Sequence, residues 1–251
     1  MKNRYFLEIA FNGSNYHGWQ RQPGQVTIQS VMAEHISTLL REELKVHGCG
    51  RTDAGVHARK FYLHFDTNQE LNLDFRYKLD SFLPKDITAK KLYTLSKRIH
   101  ARYDAIKRSY EYIISCGKDP FHVGMAVTYF EKFDIDLMNE ACKVLLKYND
   151  FESFSKTNNS HNHYLCNLFE AHWKNQENLL IFSITANRFL RSMVRLIVGT
   201  MLDVSRKKIN IEKFRKIIED KDRTKAGKAV YANGLYLVDV QYPEGVLVEM
   251  Q

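Results

Sequence analysis

The alternation of apolar and polar residues along the chain predicts a set of short β-strands. In the first of them, Tyr5, Leu7, Ile9 and Phe11 share one face of the strand. Segments of the same kind occur at 5–11, 60–66, 90–95, 106–114, near 164–174, near 179–186, and at 234–243. The chain is therefore rich in strands along its whole length.

Longer segments repeat apolar residues at steps of three and four, the spacing of an amphipathic helix. The first begins after Thr27, a predicted N-cap, and its apolar residues are Ile28, Val31, Met32, His35, Ile36, Leu39 and Leu40. The second runs from Asp136 to Tyr148, with the inward residues Met138, Ala141, Cys142, Leu145 and Leu146. The third is capped by Asn187 and turns inward Phe189, Leu190, Met193, Val194, Ile197, Met201 and Leu202. A basic helix follows at 211–218. Strands and helices thus alternate in two halves of similar layout, which predicts the α/β (α+β) class.

The third helix also carries a row of arginines. Plotted at 100° per residue, Arg188, Arg191, Arg195 and Gly199 fall within about 80° of one another. Such a stripe is either a solvated face or a basic face with room for close approach at one end, at Gly199.

Composition adds a preference for a polyanionic partner. The 251 residues include 37 Lys and Arg against 29 Asp and Glu, a net charge of +8. Fourteen Tyr and 15 Phe suit either a core or the stacking of bases. Charge and aromatic content agree with nucleic-acid binding without requiring it.

The cysteines and the apolar runs indicate the compartment. Cys49, Cys116, Cys142 and Cys166 form no Cys-x-x-Cys pair, which suits free thiols in a reducing compartment. The N-terminus leads into a strand pattern instead of a signal peptide, and no apolar run approaches the roughly 20 residues that span a bilayer. We expect a soluble cytoplasmic protein that does not bind a membrane.

The most unusual segment is a glycine-rich loop at 48–58. Gly48, Gly50 and Gly55 surround one carboxylate, Asp53, which follows Arg51 by two residues. No Gly-Lys-Ser/Thr of a phosphate-binding loop follows, the dinucleotide fingerprint fails because position 53 is Asp, and no paired Cys or His spacing supports a metal. The loop is either a turn with a surface ion pair or a site built on one carboxylate.

The segment Gly50-Arg51-Thr52-Asp53-Ala54-Gly55-Val56-His57-Ala58 resembles the active-site signature of the tRNA pseudouridine synthase A family. Further similarities are Gly13–Gln22, the strand Arg108-Ser109-Tyr110-Glu111-Tyr112, and the helix from Asn187 to Gly199. The resemblance spans about residues 5–243 and assigns the family's catalytic aspartate to Asp53. It makes Tyr110 the residue that packs against the target base, and it pairs Arg195 with the catalytic carboxylate.

The resemblance also implies an architecture. It predicts two ferredoxin-like (RRM-like) domains, 1–103 and 104–251, whose antiparallel sheets adjoin and leave a central cleft with Asp53 at its floor. The first domain would carry the catalytic loop, and the second would carry the Tyr110 strand and the Arg195 helix. A homodimer, with one tRNA able to touch both subunits, is implied as well.

The implied reaction isomerises uridine to pseudouridine in the anticodon stem-loop of tRNA, at positions 38, 39 and 40. It needs no cofactor, nucleotide or metal, because one ionised carboxylate can attack C1′ or act as a base at the sugar. Arg51 and Arg195 would keep Asp53 ionised. The alternatives are a non-catalytic RNA-binding protein, an N-glycosyl hydrolase, and a pseudouridine synthase that acts on other RNA positions.

Three stretches depart from the family pattern. Asp80 stands where the family usually has Asn, residues 158–163 form a polar loop that the family's usual arginine does not follow, and 229–233 lack the usual proline. We expect the departures near 158–166 and 229–233 to bear on the choice of RNA.

Overall fold

The computed structural model describes residues 2–156 and 163–250. Most of the predicted polar loop at 158–163 lies outside the described residues, and only His163 of it is included. Within the described part of the chain, no helix is long and apolar enough to cross a membrane.

Strands and helices are mixed throughout, so the protein is of the α+β class with mostly antiparallel sheet. The strands are β1 (Asn3–Phe11), β2 (His47–Gly48), β3 (His57–Thr67), β4 (Ile87–Leu95), β5 (Lys107–Ser115), β6 (Val127–Thr128), β7 (Leu168–Gln176), β8 (Leu179–Ala186), β9 (Leu235–Gln241) and β10 (Leu247–Glu249). The α-helices are α1 (Ile28–Leu40), α2 (Leu73–Phe82), α3 (Ile135–Leu145), α4 (Met193–Ser205) and α5 (Ile211–Glu219).

The chain divides into two compact units. The first comprises Met1–Lys107 with Tyr236–Gln251, and the second comprises Arg108–Leu235. The last segment of the chain therefore belongs with the first unit, although it follows the second in sequence.

In the first unit the strands lie in the order β10-β4-β1-β3-β9, with β2 paired to β3. Neighbours are antiparallel except β3 and β9, which run parallel. The predicted apolar face of β1 is confirmed, but Glu8 on the other face is buried too. Its carboxylate accepts hydrogen bonds from the hydroxyls of Tyr62 (3.0 Å) and Tyr93 (3.1 Å), which offset the cost of burying it.

Helix α1 begins where the sequence predicts. Thr27 caps it in a capping box with Ser30, which satisfies two backbone N–H groups of the first turn. The buried side chains are Ile28, Met32, Ile36 and Leu40. The buried stripe is therefore narrower than predicted, because Val31, His35 and Leu39 lie at its partly exposed edges.

Two elements of the first unit escape the sequence pattern. Helix α2 buries only Phe75 and Leu79, four residues apart, so its apolar stripe is too thin to recognise. Strand β10 is three residues long and is defined by its pairing with β4. Asp80 on α2 accepts a hydrogen bond from the backbone N–H of Ala89 (2.8 Å), so this departure from the family pattern ties α2 to β4.

In the second unit β5, β8 and β7 form an antiparallel sheet, and β6 pairs parallel to β5. Helix α4 is buried nearly all round and contacts α3 and α5. On α3 the sequence prediction is wrong at its end, since Leu146 is 39% exposed and Val144 is buried instead.

The start of α4 corrects a second prediction. The helix begins at Met193, after Ser192 in the left-handed region (φ 62°), and Asn187 does not cap it. The Asn187 side-chain oxygen instead accepts the backbone N–H groups of Asn167 and Arg188, both at 2.8 Å. Because Arg188 and Arg191 precede the helix, the predicted arginine stripe on one helix face does not exist.

A buried histidine predicts how stability depends on pH. Burial, together with Arg4, His100 and His47, lowers the pKa of His64 to about 3, against a smaller opposing effect of Asp66. The unfolded chain protonates this ring near its ordinary pKa of about 6.5, whereas the folded protein resists protonation until about pH 3. The free energy of unfolding should therefore fall as the pH drops through this window, by up to about 1.4 kcal/mol per pH unit.

Denaturant unfolding between pH 7 and pH 4 measures this effect. His64→Gln should remove most of the slope, because glutamine does not titrate there. His17→Gln, at an exposed histidine, is the matched control and should keep it. Equal slopes in wild type and His64→Gln would contradict the assignment.

Candidate functional site

The glycine-rich loop lies between β2 and β3 of the first unit. Arg51 is exposed, Thr52 is buried and Asp53 is half-buried. The Asp53 carbonyl accepts the N–H of Val56 (3.2 Å), and Gly55 has a φ of 77°, which together make a tight turn just before β3. The turn presents a carboxylate at the end of a long, well-paired strand.

A second loop, residues 13–19, packs against this turn and supports it. The backbone N–H of Trp19 donates to the Thr52 carbonyl (3.2 Å), and the N–H of Gly55 donates to the Tyr16 carbonyl (3.3 Å). The two loops touch so closely at Gly18 that a Cβ there would lie 2.3 Å from the Thr52 carbonyl oxygen. The backbone that carries Asp53 is thus fixed on both sides.

Trp19 packs inward beneath the turn. Its ring is 2% exposed and stacks on Phe61 of β3 at 4.3 Å between centroids. A Cβ at Gly48 would come within 2.4 Å of this ring, which explains the glycine at the start of the loop. The Trp19 side chain therefore supports the loop that carries Asp53.

His57 has a supporting role that the sequence does not predict. It is 1% exposed, its Nδ1 accepts the N–H of Gly13 (3.1 Å), and its ring stacks on Tyr236 of β9 at 4.7 Å. This histidine ties the supporting loop to β3, directly after the Asp53 turn. Its place inside the nine-residue motif was the available signal.

Asp86, before β4, anchors the supporting loop from the other side. Its carboxylate accepts hydrogen bonds from the Tyr16 hydroxyl (2.5 Å) and the Asn15 amide (3.1 Å), and its carbonyl accepts the N–H of Asn12 (2.9 Å). Burial, assisted by the Asp86 carboxylate, raises the pKa of Tyr16 well above its ordinary value, so the hydroxyl stays a donor. Asp86 thereby holds Tyr16, whose carbonyl holds Gly55 in the Asp53 turn.

Replacing Asp86 by alanine should therefore weaken both the fold and the pseudouridine formation that the family resemblance implies. It leaves the buried Tyr16 hydroxyl without its acceptor, at a cost of about 1–3 kcal/mol in the free energy of unfolding. The loosened turn should also lower kcat. Asp86→Asn keeps an acceptor oxygen and should restore most of both quantities. An Asp86→Ala protein with wild-type kcat and stability would show that the anchor is dispensable.

In the second unit, Tyr110 lies on β5, half-buried and opposite Ile184 of β8. Its ring meets Phe189 edge to face, at 5.1 Å between centroids. On the same strand Arg108 donates from Nη1 to the Asn187 carbonyl (2.8 Å). This end of β5 presents an aromatic ring and a guanidinium two residues apart.

Arg195, near the start of α4, holds a neighbouring backbone segment. Its Nε donates to the Val230 carbonyl (2.7 Å), and its own carbonyl accepts the Val230 N–H (3.2 Å). The Tyr112 hydroxyl donates to the next carbonyl, that of Tyr231 (2.9 Å). Arg195 and the strand of Tyr110 are thus linked through 230–231, within the stretch that departs from the family pattern.

The space at Gly199 is already filled. A Cβ there would lie 1.9 Å from the Lys228 carbonyl oxygen, so the glycine admits the chain's own backbone. The prediction that Gly199 leaves room for a ligand is therefore not supported.

Comparisons with known proteins identify the family. The sequence profile described as tRNA pseudouridine synthase matches residues 9–104 and 141–243. The tRNA pseudouridine synthase A of Parabacteroides distasonis is 43% identical over 243 residues, which cover 96% of each chain. That of Bacteroides thetaiotaomicron is 42% identical over 250 residues, covering 98% of this chain and 93% of the relative.

This chain belongs to the tRNA pseudouridine synthase family. It is an enzyme, an isomerase of the family that forms pseudouridine in tRNA. A solved partial Cas6-RT-Cas1–Cas2 complex aligns with 98% of this chain and 47% of its own, but a TM-score of 0.24 and 9% identity carry no argument.

The four predicted site residues lie in different units of the chain. The first unit contains Arg51 and Asp53, and the second contains Tyr110 and Arg195. Among the described residues, no three His, Cys, Asp or Glu side chains are arranged to hold a metal ion. The Thr52 hydroxyl, beside Asp53, is buried without a hydrogen-bond partner in the described part of the chain.

Proposed function

We propose that this enzyme isomerises uridine to pseudouridine at positions 38, 39 and 40 of the tRNA anticodon stem-loop, with Asp53 as its catalytic carboxylate. The observation that carries the proposal is the Asp53 turn. The half-buried Asp53 carboxylate stands on a backbone segment that is held by hydrogen bonds to Trp19 and Tyr16 and by the close contact at Gly18. Such rigidity is what a reacting group requires.

The chemistry needs little else from the protein. The C1′–N1 bond of the target uridine breaks, the uracil turns over, and C5 bonds to C1′. C5 then loses its proton, and N1 gains one, so the product is an isomer of uridine. The Asp53 carboxylate can attack C1′ or remove a proton from the sugar. Arg51 and Arg195 are proposed to pair with the Asp53 carboxylate and to orient it. The reaction is an isomerisation and requires no cofactor.

Tyr110 is proposed to pack against the target base. Its half-buried ring, braced edge-on by Phe189, suits the stacking of an unpaired base. The target must leave its own stack, at a cost of a few kcal/mol. The net charge of +8 favours binding of the tRNA phosphates while this happens.

The remaining proposals concern architecture and context. The two ferredoxin-like domains, 1–103 and 104–251, stay a prediction; the β1-α1-β2-β3-α2-β4 order of the first unit agrees with one such domain. A homodimer, tRNA as the partner and a cytoplasmic location are likewise proposed from the family resemblance.

The test is to map pseudouridine in unmodified tRNA transcripts incubated with purified protein and no added cofactor. We expect pseudouridine at positions 38–40 in transcripts that carry uridine there, and none when that uridine is replaced by cytidine. Pseudouridine at other positions would keep the chemistry and overturn the proposed target. Free uracil would indicate an N-glycosyl hydrolase. Tight tRNA binding without either product would favour a non-catalytic RNA-binding protein.

A further inference from the structure

A cluster of aromatic rings lies on the first unit, away from the Asp53 turn. His47, His100 and Tyr103 form a continuous array, with centroids 5.4 Å apart between the two histidines and 4.5 Å apart between His100 and Tyr103. We call these three residues the ring surface. His47 is exposed, His100 is half-buried, and Tyr103 is 74% exposed. Because these side chains are largely exposed, their burial contributes little to the free energy of folding.

The ring surface has a rigid base. Buried His64 stacks on His47 at 5.0 Å and meets His100 edge to face at 4.5 Å. Its Nδ1 accepts the N–H of Ala101 (3.1 Å), while Nε2 is buried and has no hydrogen-bond partner among the described residues. The exposed rings are therefore held in place from beneath instead of moving freely in solvent.

Positive charge surrounds the rings. The Arg102 guanidinium lies over the Tyr103 ring, 5.6 Å from its centroid. Arg4 and Arg98 both bind the Asp66 carboxylate, so two cations share one anion. Asp104, which accepts the N–H of His100 (2.7 Å), is a second anion, and the three arginines still exceed the two carboxylates.

The ring surface is remote from the catalytic loop. His47 pairs with His64 on β3, whereas the Asp53 turn leads into His57 at the start of that strand. His64 lies seven residues after His57 along the strand, which corresponds to about 23 Å. A uridine at Asp53 cannot reach the rings, but a large RNA bound there can.

We propose that the ring surface is a second tRNA-binding site, at which an unpaired base stacks on Tyr103 and His100 while Arg102 and Arg98 contact phosphates. Open, preorganised rings beside arginines are the elements that bind single-stranded RNA segments. The excess of arginines over carboxylates beside the rings favours a polyanionic RNA over a protein partner. The site rests on the proposed tRNA substrate and extends it to a contact remote from the reacting uridine.

The test compares Tyr103→Ser and Arg102→Ser with wild type in tRNA binding and in steady-state kinetics. Loss of one stacked base should raise Kd and KM for a full-length tRNA about ten-fold, with a larger effect on KM than on kcat. Tyr103→Phe keeps the ring and should bind like wild type. Arg102→Ser should also reduce the salt dependence of binding. An isolated anticodon stem-loop should lose much less affinity than full-length tRNA.

Tyr77→Ser is the matched control. Tyr77 is also exposed (58%) and also lies beneath an arginine, Arg76, at 3.8 Å, but on α2. It should bind tRNA like wild type. Unchanged tRNA affinity in Tyr103→Ser would overturn the ring surface as an RNA site, and equal losses on tRNA and stem-loop would overturn its remoteness. Because binding is measured separately from product, a wild type that binds tRNA but makes no pseudouridine would contradict the proposed function alone.

Discussion

Asp53→Asn should abolish pseudouridine formation while the protein still folds and binds tRNA. Asparagine matches aspartate in shape but can neither attack C1′ nor accept a proton at neutral pH. We expect kcat to fall by at least about 10³-fold, the range for loss of a central acid–base or nucleophilic group. Single-turnover assays with tRNA in the presence of excess enzyme, combined with a tRNA-binding assay, separate loss of chemistry from loss of binding.

Asp80→Asn is the matched control, because it makes the same change at a carboxylate outside the loop. Asparagine can still accept the N–H of Ala89 through its side-chain oxygen. Activity and stability should stay near wild type. Comparable activity in Asp53→Asn and wild type would remove Asp53 from the mechanism altogether.

Gly18→Ala should cause the second large loss. Gly18 has a φ of 80°, and a Cβ there would lie 2.3 Å from the Thr52 carbonyl oxygen and 3.0 Å from the Asp53 carbonyl carbon. Backbone atoms cannot move aside as a flexible side chain can, so the Asp53 turn must shift. A displacement of about 1 Å at a reacting group costs on the order of 10²-fold in rate. The unfavourable φ should also lower the free energy of unfolding by about 1–3 kcal/mol.

Gly24→Ala is the matched control, because it also changes a glycine with a positive φ but creates no steric contact. Gly24 also has a positive φ, 69°, but a Cβ there meets nothing within 4 Å. It should lose about 1 kcal/mol of stability and keep its activity. If both variants retained wild-type kcat, the close packing of the two loops would not position Asp53.

Several features of the molecule follow from local sequence. The Thr27 cap and the buried positions of α1 appear where the periodicity indicates, because a cap and a strong apolar stripe act within a few residues. Strands β1, β3, β4 and β9 also match, apart from their exact ends. Helix α2 does not, since Phe75 and Leu79 alone mark its buried side.

The start of α4 shows where sequence reasoning fails. Asn187 has a side chain typical of an N-cap, yet its oxygen bonds Asn167, twenty residues earlier in the chain. A competing long-range partner cannot be read from periodicity, so the helix was predicted to begin too early. The prediction for Gly199 fails for the same reason, because the backbone that fills the space beside it comes from Lys228, far along the chain.

The family, the α+β class and the loop that bears Asp53 can be predicted from the sequence alone, because a nine-residue motif and regular apolar spacing are local properties of the chain. Only the tertiary structure showed that Tyr16, Trp19, His57 and Asp86 hold that loop, and that His47, His100 and Tyr103 form one surface. These residues are brought together by strand pairing and loop packing between segments up to 71 residues apart, as in the contact of Asn15 with Asp86. Contacts of that range depend on how the whole sheet assembles, which no local pattern encodes.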